Sequence, residues 1–348
     1  MEKIVVTPLM GMGDTLMTTP ALQLIKDSRQ DCEITYFTFS RANHEILLNN
    51  PHIDHLWYYP IKAIHFFQAT VHVLTHFAFR FNTCINFYPS NRIQYNGFAL
   101  MTGAKKRIGH SYLRMNFSQL NWLKNKTIAE DYSAHCVEEN VRLLQFLGIS
   151  AAPDTIPPMH IYLTDEEKEA GSSFVASLNG NTFIGIHAGT STFKNHAKRR
   201  WPREKFVELI DRHQDKHFLL FGTEDEIGIN EYIQSAVKNK NQVTVVTNKT
   251  IREVAAIIGE LDAFVSNDSG LMHIAAAMQT PVVLILGPTN KNFIYPWGVA
   301  HRVVRLDLPC SPCFYYSPRP LSCRLNDSYA CLAELNVSDV SDALEEIL

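Results

Sequence analysis

Short apolar runs of strand length alternate with amphipathic stretches along most of the chain. Residues 3–7 and 33–39 read as strands, while 16–29 and 42–49 carry apolar residues at helical spacing. That alternation predicts a parallel sheet with crossover helices. Residues 137–147 continue the helical pattern and Gly148 supplies a stop. A proline-rich stretch, 151–158, then opposes both helix and central strand. Beyond it the alternation restarts more clearly, with strands expected over 182–187, 217–221, 243–246, 263–266 and 282–286. Helices are expected between them over 203–214, 226–237, 251–259 and 271–278. The second half therefore reads as a doubly wound α/β sheet, whose ligands bind where the carboxyl ends of the strands open.

At 348 residues the chain exceeds what one hydrophobic core supports, so two domains are expected, 1–155 and 156–348. With 46% hydrophobic and 19% charged residues it has a globular composition. A formal charge of −3 gives no general attraction to nucleic acid, so an anionic ligand needs a local basic cluster. The first strand begins almost at Met1 and leaves no room for a secretory signal, and the strongest apolar run, 281–288, is too short to span a bilayer. A cytosolic protein is expected. Residues 61–81, rich in Phe and His, read either as an amphipathic helix near a membrane or acceptor or as an ordinary core-facing helix.

Three loops after strands carry candidate chemistry. In the first, Gly11 and Gly13 permit a tight turn and close approach of a ligand, and Asp14 follows. The dinucleotide fingerprint is broken at Leu16, and an acid stands where a phosphate would approach, so the loop reads as an acceptor site. Asp14 is either a base for an attacking hydroxyl or a helix N-cap. In the second loop, Gly189, Thr190 and Ser191 end a strand and precede Lys194, Lys198, Arg199 and Arg200, a set suited to a departing diphosphate. In the third, Asp268, Ser269, Gly270, Leu271 and His273 take a buried strand directly into a helix, whose first amides attract phosphate oxygens. His273 reads as a donor to phosphate or sugar, or as a buried structural histidine. Glu226 follows another strand as a ribose-binding acid or a surface cap. Cys310, Cys313, Cys323 and Cys331 have the spacing of a four-thiolate metal site, although the surrounding Pro312, Phe314, Tyr315, Tyr316, Pro318 and Pro320 also suit a packed substrate-binding flap.

Taken together, Gly11-Met12-Gly13-Asp14 with Thr19-Pro20-Ala21-Leu22, Ala188-Gly189-Thr190 with Arg199-Arg200-Trp201-Pro202, and Asn267 to His273 resemble glycosyltransferase family 9, the ADP-heptose:lipopolysaccharide heptosyltransferases. Arg107-Ile108-Gly109 and Pro309-Cys310-Ser311-Pro312-Cys313 extend the resemblance over nearly the whole chain. It implies GT-B architecture, two Rossmann-like domains facing a central cleft, with the acceptor on the N-terminal domain and the nucleotide sugar on the C-terminal one. It implies inverting transfer of heptose from ADP-heptose to the lipopolysaccharide inner core, at a Kdo or heptose residue. A diphosphate leaves unprotonated when cations and helix amides stabilise its charge, so the reaction requires no catalytic metal. Asp14 falls on the general base. Thr190, Asp268, Ser269, Gly270, Leu271 and His273 fall on nucleotide and sugar-phosphate contacts, and Glu226 on the ribose acid. Where the family places a lysine before its Trp-Pro step, this chain has Arg199 preceded by Lys198, and either could bind phosphate. Peripheral contact with the inner membrane is compatible with this role. The other readings are a related transferase with another nucleotide sugar or a protein acceptor, an NAD-dependent oxidoreductase, and a non-catalytic nucleotide-sugar-binding protein.

Overall fold

Each half of the chain folds around its own six-stranded parallel sheet. The first contains β1 (Glu2–Val6), β2 (Cys32–Thr38), β3 (His55–Tyr58), β4 (Thr83–Ile85), β5 (Lys106–Ser111) and β6 (Lys126–Ala129), in the order β3-β2-β1-β4-β5-β6. The second contains β7 (Phe183–His187), β8 (His217–Leu220), β9 (Val243–Val245), β10 (Ala263–Asn267), β11 (Val282–Ile285) and β12 (His301–Val304), in the order β12-β11-β10-β7-β8-β9. Counted from its own first strand, each sheet has the same doubly wound order. The computed structural model describes residues 1–60, 75, 77–315, 320–325 and 328–348. Most of the expected amphipathic stretch 61–81 lies outside the described residues, as do Tyr316 and Pro318.

The inner strands of the second sheet are buried along most of their length because helices cover both sheet faces, with polar residues kept to their carboxyl ends. All five residues of β10 are buried, and β7 is buried from Ile184 onward. Gly185 serves this packing: a Cβ there would lie 2.3 Å from the Phe264 ring of β10. On the other face of the sheet, Trp201, Phe206, Phe218 and Leu332 form a core cluster with Ile184, Ile186, Ala263 and Val265. Among the described residues no helix is long and apolar enough to cross a membrane.

Two expected helices are modified. The stretch expected as one helix over 16–29 is two, Met12–Leu16 and Thr19–Ser28, because Pro20 lacks the amide that a continuous helix would use. Residues 137–147 form an α-helix over Cys136–Arg142 that tightens to a 3-10 helix over Leu143–Leu147. Gly148 then stops it with φ 73°. The chain parts into two compact units, Met1–Tyr162 and Leu163–Leu348.

Candidate functional site

In the second unit, the order reverses between β7 and β10. Their onward connections leave toward opposite faces, so a crevice opens at their carboxyl ends. Asn267, the last residue of β10, fixes both loops there. Its side-chain amide donates to the carbonyls of Ala188 (2.9 Å) and Gly189 (3.4 Å), and its Oδ1 accepts from the Trp201 amide at 2.9 Å.

His187, at the end of β7, joins two candidate ligand-binding groups. Its Nδ1 lies 2.8 Å from Ser269 Oγ and its Nε2 3.2 Å from Glu226 Oε2. Ser269 is the N-cap of the helix Gly270–Ala277, yet it makes no side-chain cap hydrogen bond. Its hydroxyl is engaged by His187 and by Ser266 Oγ at 3.1 Å. A serine at this position normally satisfies a first-turn amide; here the helix start has no such cover. His273, in the first turn, is 5% exposed and its Nδ1 has no hydrogen-bond partner among the described residues. Burial pulls the imidazole down to about 4, with Asp268 opposing, so the ring is neutral at physiological pH.

Glu226 is buried, and it also closes a capping box, its Oε2 accepting from the Thr223 amide at 2.9 Å. It packs on Gly189, where a Cβ would meet Glu226 Oε1 at 1.9 Å. Burial pushes the carboxyl up, but His187, the Thr223 amide and Arg200 outweigh it and the net shift is downward. Arg200 lies 3.6 Å from Glu226 Oε1 and donates to the Thr190 carbonyl at 2.6 Å.

The two candidate phosphate cations occupy different settings. Arg199 is largely buried, donates to Asp268 Oδ2 at 2.5 Å, and sits 5.5 Å above the Phe314 ring. Asp268 Oδ2 also accepts from Thr289 Oγ1 at 2.7 Å. Lys198 is exposed, with its ammonium 5.6 Å from the centroid of the Tyr329 ring. The Nε atoms of Arg199 and Arg200 are buried without hydrogen-bond partners among the described residues. His196, 3.2 Å from Arg199, is brought down to about 4 by burial first and by Arg199 next. Thr190 is buried and donates to the His196 carbonyl at 2.8 Å, whereas Ser191 is exposed and accepts from the Phe193 amide at 3.2 Å. Leu271 is a buried apolar residue in the helix's first turn.

In the first unit, Asp14 is half-buried in the first turn of the helix Met12–Leu16. Gly11, not Asp14, is the N-cap, and Gly13 is buried in that turn. A Cβ on Gly11 would lie 2.5 Å from Asp14 Oδ2, so the carboxylate folds over the glycine. Burial drives the Tyr36 and Tyr95 phenols up, Tyr95 to about 12, and the Asp14 charge adds to both.

Cys310, Cys313, Cys323 and Cys331 are free thiols lining one small cavity with Pro288, Leu308 and Tyr329. Burial, and then the neighbouring thiols, push Cys313 up and Cys331 to about 11. Among the described residues no group of three or more His, Cys, Asp or Glu is arranged to hold a metal ion, so the quartet gains no support as a metal site. The same loop instead lays Phe314 against Arg199 and, at 5.3 Å, against His196. Thr289 escaped the sequence reading, although its place just beyond the expected strand 282–286 was a usable signal. His187 was visible only as part of a motif, because its two partners lie 39 and 82 residues away.

The lipooligosaccharide heptosyltransferase 2 of Campylobacter jejuni is 30% identical over 176 residues, covering 49% of this chain and 52% of that protein. The chain thus spans about half the length of curated relatives of this kind. The lipopolysaccharide heptosyltransferase 3 of Escherichia coli K12 is 27% identical over 82% of both chains. The solved structure of the E. coli ADP-heptose lipopolysaccharide heptosyltransferase II superposes with a TM-score of 0.75 at 19% identity, over 100% of this chain and 98% of that one, and shares the GT-B fold. With the model of glycosyltransferase family 9 (heptosyltransferase) matching residues 93–320, the chain belongs to that family.

Proposed function

We propose that this chain is an inverting glycosyltransferase that moves heptose from ADP-heptose to a Kdo or heptose residue of the lipopolysaccharide inner core. The supporting observation is the uncapped start of the helix Gly270–Ala277 beside buried donors with unused hydrogen-bonding capacity, Arg199 Nε, Arg200 Nε and His273 Nδ1. Such a set suits a diphosphate, because helix amides and guanidinium groups together stabilise its oxygens. The second unit is then the nucleotide-sugar domain and the first the acceptor domain.

In the reaction the acceptor oxygen forms its bond to the anomeric carbon as the bond to the diphosphate breaks on the opposite side. The electron pair departs with ADP. Asp14 takes the acceptor's proton, and the diphosphate leaves unprotonated because Arg199 and the helix amides stabilise its charge. Thr190, Asp268 and Ser269 position the donor, and Glu226 bonds the ribose through the Oε1 atom that Arg200 approaches at 3.6 Å. Neither a metal nor a second cofactor enters these steps. The enzyme works in the cytoplasm, in peripheral contact with the inner membrane that holds its acceptor.

A thermal-shift panel of ADP, UDP, GDP, CDP and NAD tests the donor assignment, since a ligand that binds only the folded state raises its stability. ADP is expected to give the largest shift. A larger UDP shift moves the reading to another nucleotide sugar, and stabilisation by NAD alone overturns it in favour of a dehydrogenase.

A further inference from the structure

Ser269 has the extended backbone of an N-cap, φ −149° and ψ 167°, and a hydroxyl able to accept from a first-turn amide, yet that hydroxyl is turned elsewhere. Other helices of the same unit behave ordinarily. Thr164 Oγ1 accepts from the Glu167 amide at 3.3 Å and Thr250 Oγ1 from the Glu253 amide at 3.2 Å, each closing a capping box over its own helix. What differs at Ser269 is the sheet behind it.

His187 and Ser266 are register partners on β7 and β10, so their side chains leave the sheet on the same face, and both meet the Ser269 hydroxyl. Ser266 spends its one proton on the Asn267 carbonyl at 2.7 Å, so toward Ser269 Oγ, 3.1 Å away, it can only accept. His187 is closer, at 2.8 Å, and is itself fixed. Its Nε2 lies 3.2 Å from Glu226 Oε2, an oxygen that also accepts from the Thr223 amide at 2.9 Å and the Thr223 hydroxyl at 3.2 Å. The net shift of the Glu226 carboxyl is downward, so it accepts and Nε2 donates. Nδ1 then holds the serine in either state of the ring. Bare, it accepts the hydroxyl proton; protonated, it donates to the hydroxyl oxygen.

We propose that His187 is a positioning residue that draws the Ser269 hydroxyl off its own helix and so keeps the first-turn amides of Gly270–Ala277 open for a diphosphate. Self-capping and ligand binding compete for the same donors, the amides of Leu271 and Met272. A second unused group marks the same opening. His273, 5% exposed and with Nδ1 unpartnered among the described residues, lies in that turn, and helical side chains lean toward the N-terminus. The inference rests on the donor assignment above and adds the residue that maintains its site.

Amide hydrogen exchange of the ligand-free chain and binding of inorganic pyrophosphate test it. Pyrophosphate has no ribose, so the bond between His187 and Glu226 does not enter its affinity directly. In His187→Leu the hydroxyl returns to the helix, and exchange of the Leu271 and Met272 amides should slow about 5-fold, the ratio that a typical serine cap is worth. Pyrophosphate should bind about 5-fold more weakly for the same reason. Simple damage to the site would speed exchange instead. His187→Ala carries the same expectation without added bulk, whereas His187→Asn, whose amide can take the place of Nδ1, should exchange and bind as the parent does. In a Ser269→Ala background, His187→Leu should cost no further affinity. Unchanged or faster exchange in His187→Leu and His187→Ala, or the same loss of affinity with and without the Ser269 hydroxyl, overturns the inference and leaves the donor assignment standing as long as ADP stabilises the parent. A parent that binds neither ADP nor pyrophosphate removes the donor assignment itself and the inference with it.

Discussion

Where the first sheet reverses order, after β1, a half-buried carboxylate lies over a glycine in a short helical turn, close enough to two buried tyrosines to raise both. Where the second sheet reverses, after β7, a carboxylate also lies over a glycine, but Glu226 there is enclosed by His187, Thr223 and Arg200, with the Arg199–Asp268 pair alongside. The strand order is the same in both units, so topology supplies the crevice and the loop side chains decide its chemistry. The first loop offers an acid. The second offers cations and an uncapped helix start.

The largest effect should come from removing the first acid. Asp14→Asn keeps the shape and deletes the basic oxygen, so kcat should fall at least ~100-fold, the usual contribution of a general base. The ADP-induced shift should stay as in the parent. Normal turnover by this variant would remove the base assignment and leave Asp14 a structural element of its turn.

Replacing the second unit's cations should separate them. Arg199→Ala strands Asp268 without its buried partner and should cost about 3 kcal/mol of stability as well as donor affinity. Lys198→Ala removes an exposed ammonium and should leave the melting temperature in place, with a smaller loss of donor affinity. Equal losses of affinity with no difference in stability would show that the Arg199–Asp268 pair does not hold the loop in solution.

The two glycines give the sharpest contrast. At Gly189 a methyl group would meet a carboxylate already held by three neighbours, so Gly189→Ala should cost about 2 kcal/mol and weaken nucleotide binding. At Gly11 the obstructing atom is the end of the Asp14 side chain, which is only half-buried, so Gly11→Ala should retain stability and lose turnover as the acid is pushed aside. Thermal melts and steady-state kinetics on the pair distinguish the outcomes; matched losses of stability would mean that both acids are equally fixed.

Much of the second unit could be read from sequence because its strands lie in contiguous apolar runs such as 217–221 and 282–286, separated by helices with clear starts. Ser269 at the head of its helix and Glu226 after β8 came from that pattern. The order of the strands did not, since a period-two pattern carries no information on which strands are neighbours. The first unit was harder to read. β4 (Thr-Cys-Ile) and β6 (Lys-Thr-Ile-Ala) mix polar residues into short stretches without a contiguous apolar run, and the break before Pro20 was hidden within a continuous apolar pattern. The pairing of Arg199 rather than Lys198 with Asp268 depends on a contact across 69 residues, which no local spacing encodes.

The smallest predicted effect concerns a cation in the first unit that, unlike Arg199, pairs with no acid among the described residues. Lys124 is buried, donates to Asn121 Oδ1 at 2.6 Å, and lies 5.0 Å from the centroid of the Tyr112 ring. Its stem occupies the space a Gly109 side chain would need, since a Cβ there would lie 2.6 Å from Lys124 Cδ. Burial without a carboxylate pulls the ammonium down to about 7. The unfolded chain keeps this proton up to about pH 10.4, so between pH 7 and that value it binds one proton more than the folded state does, and stability rises with pH. The slope from this single group is about 1 kcal/mol between pH 8 and pH 9. Urea denaturation across that interval should show the rise in the parent and a slope smaller by that amount in Lys124→Met, which fills the same space without a titrating group. Identical slopes would mean that Lys124 is charged in the folded protein, and that the first unit holds a buried cation with Asn121 and Tyr112 where the second gives Arg199 a carboxylate.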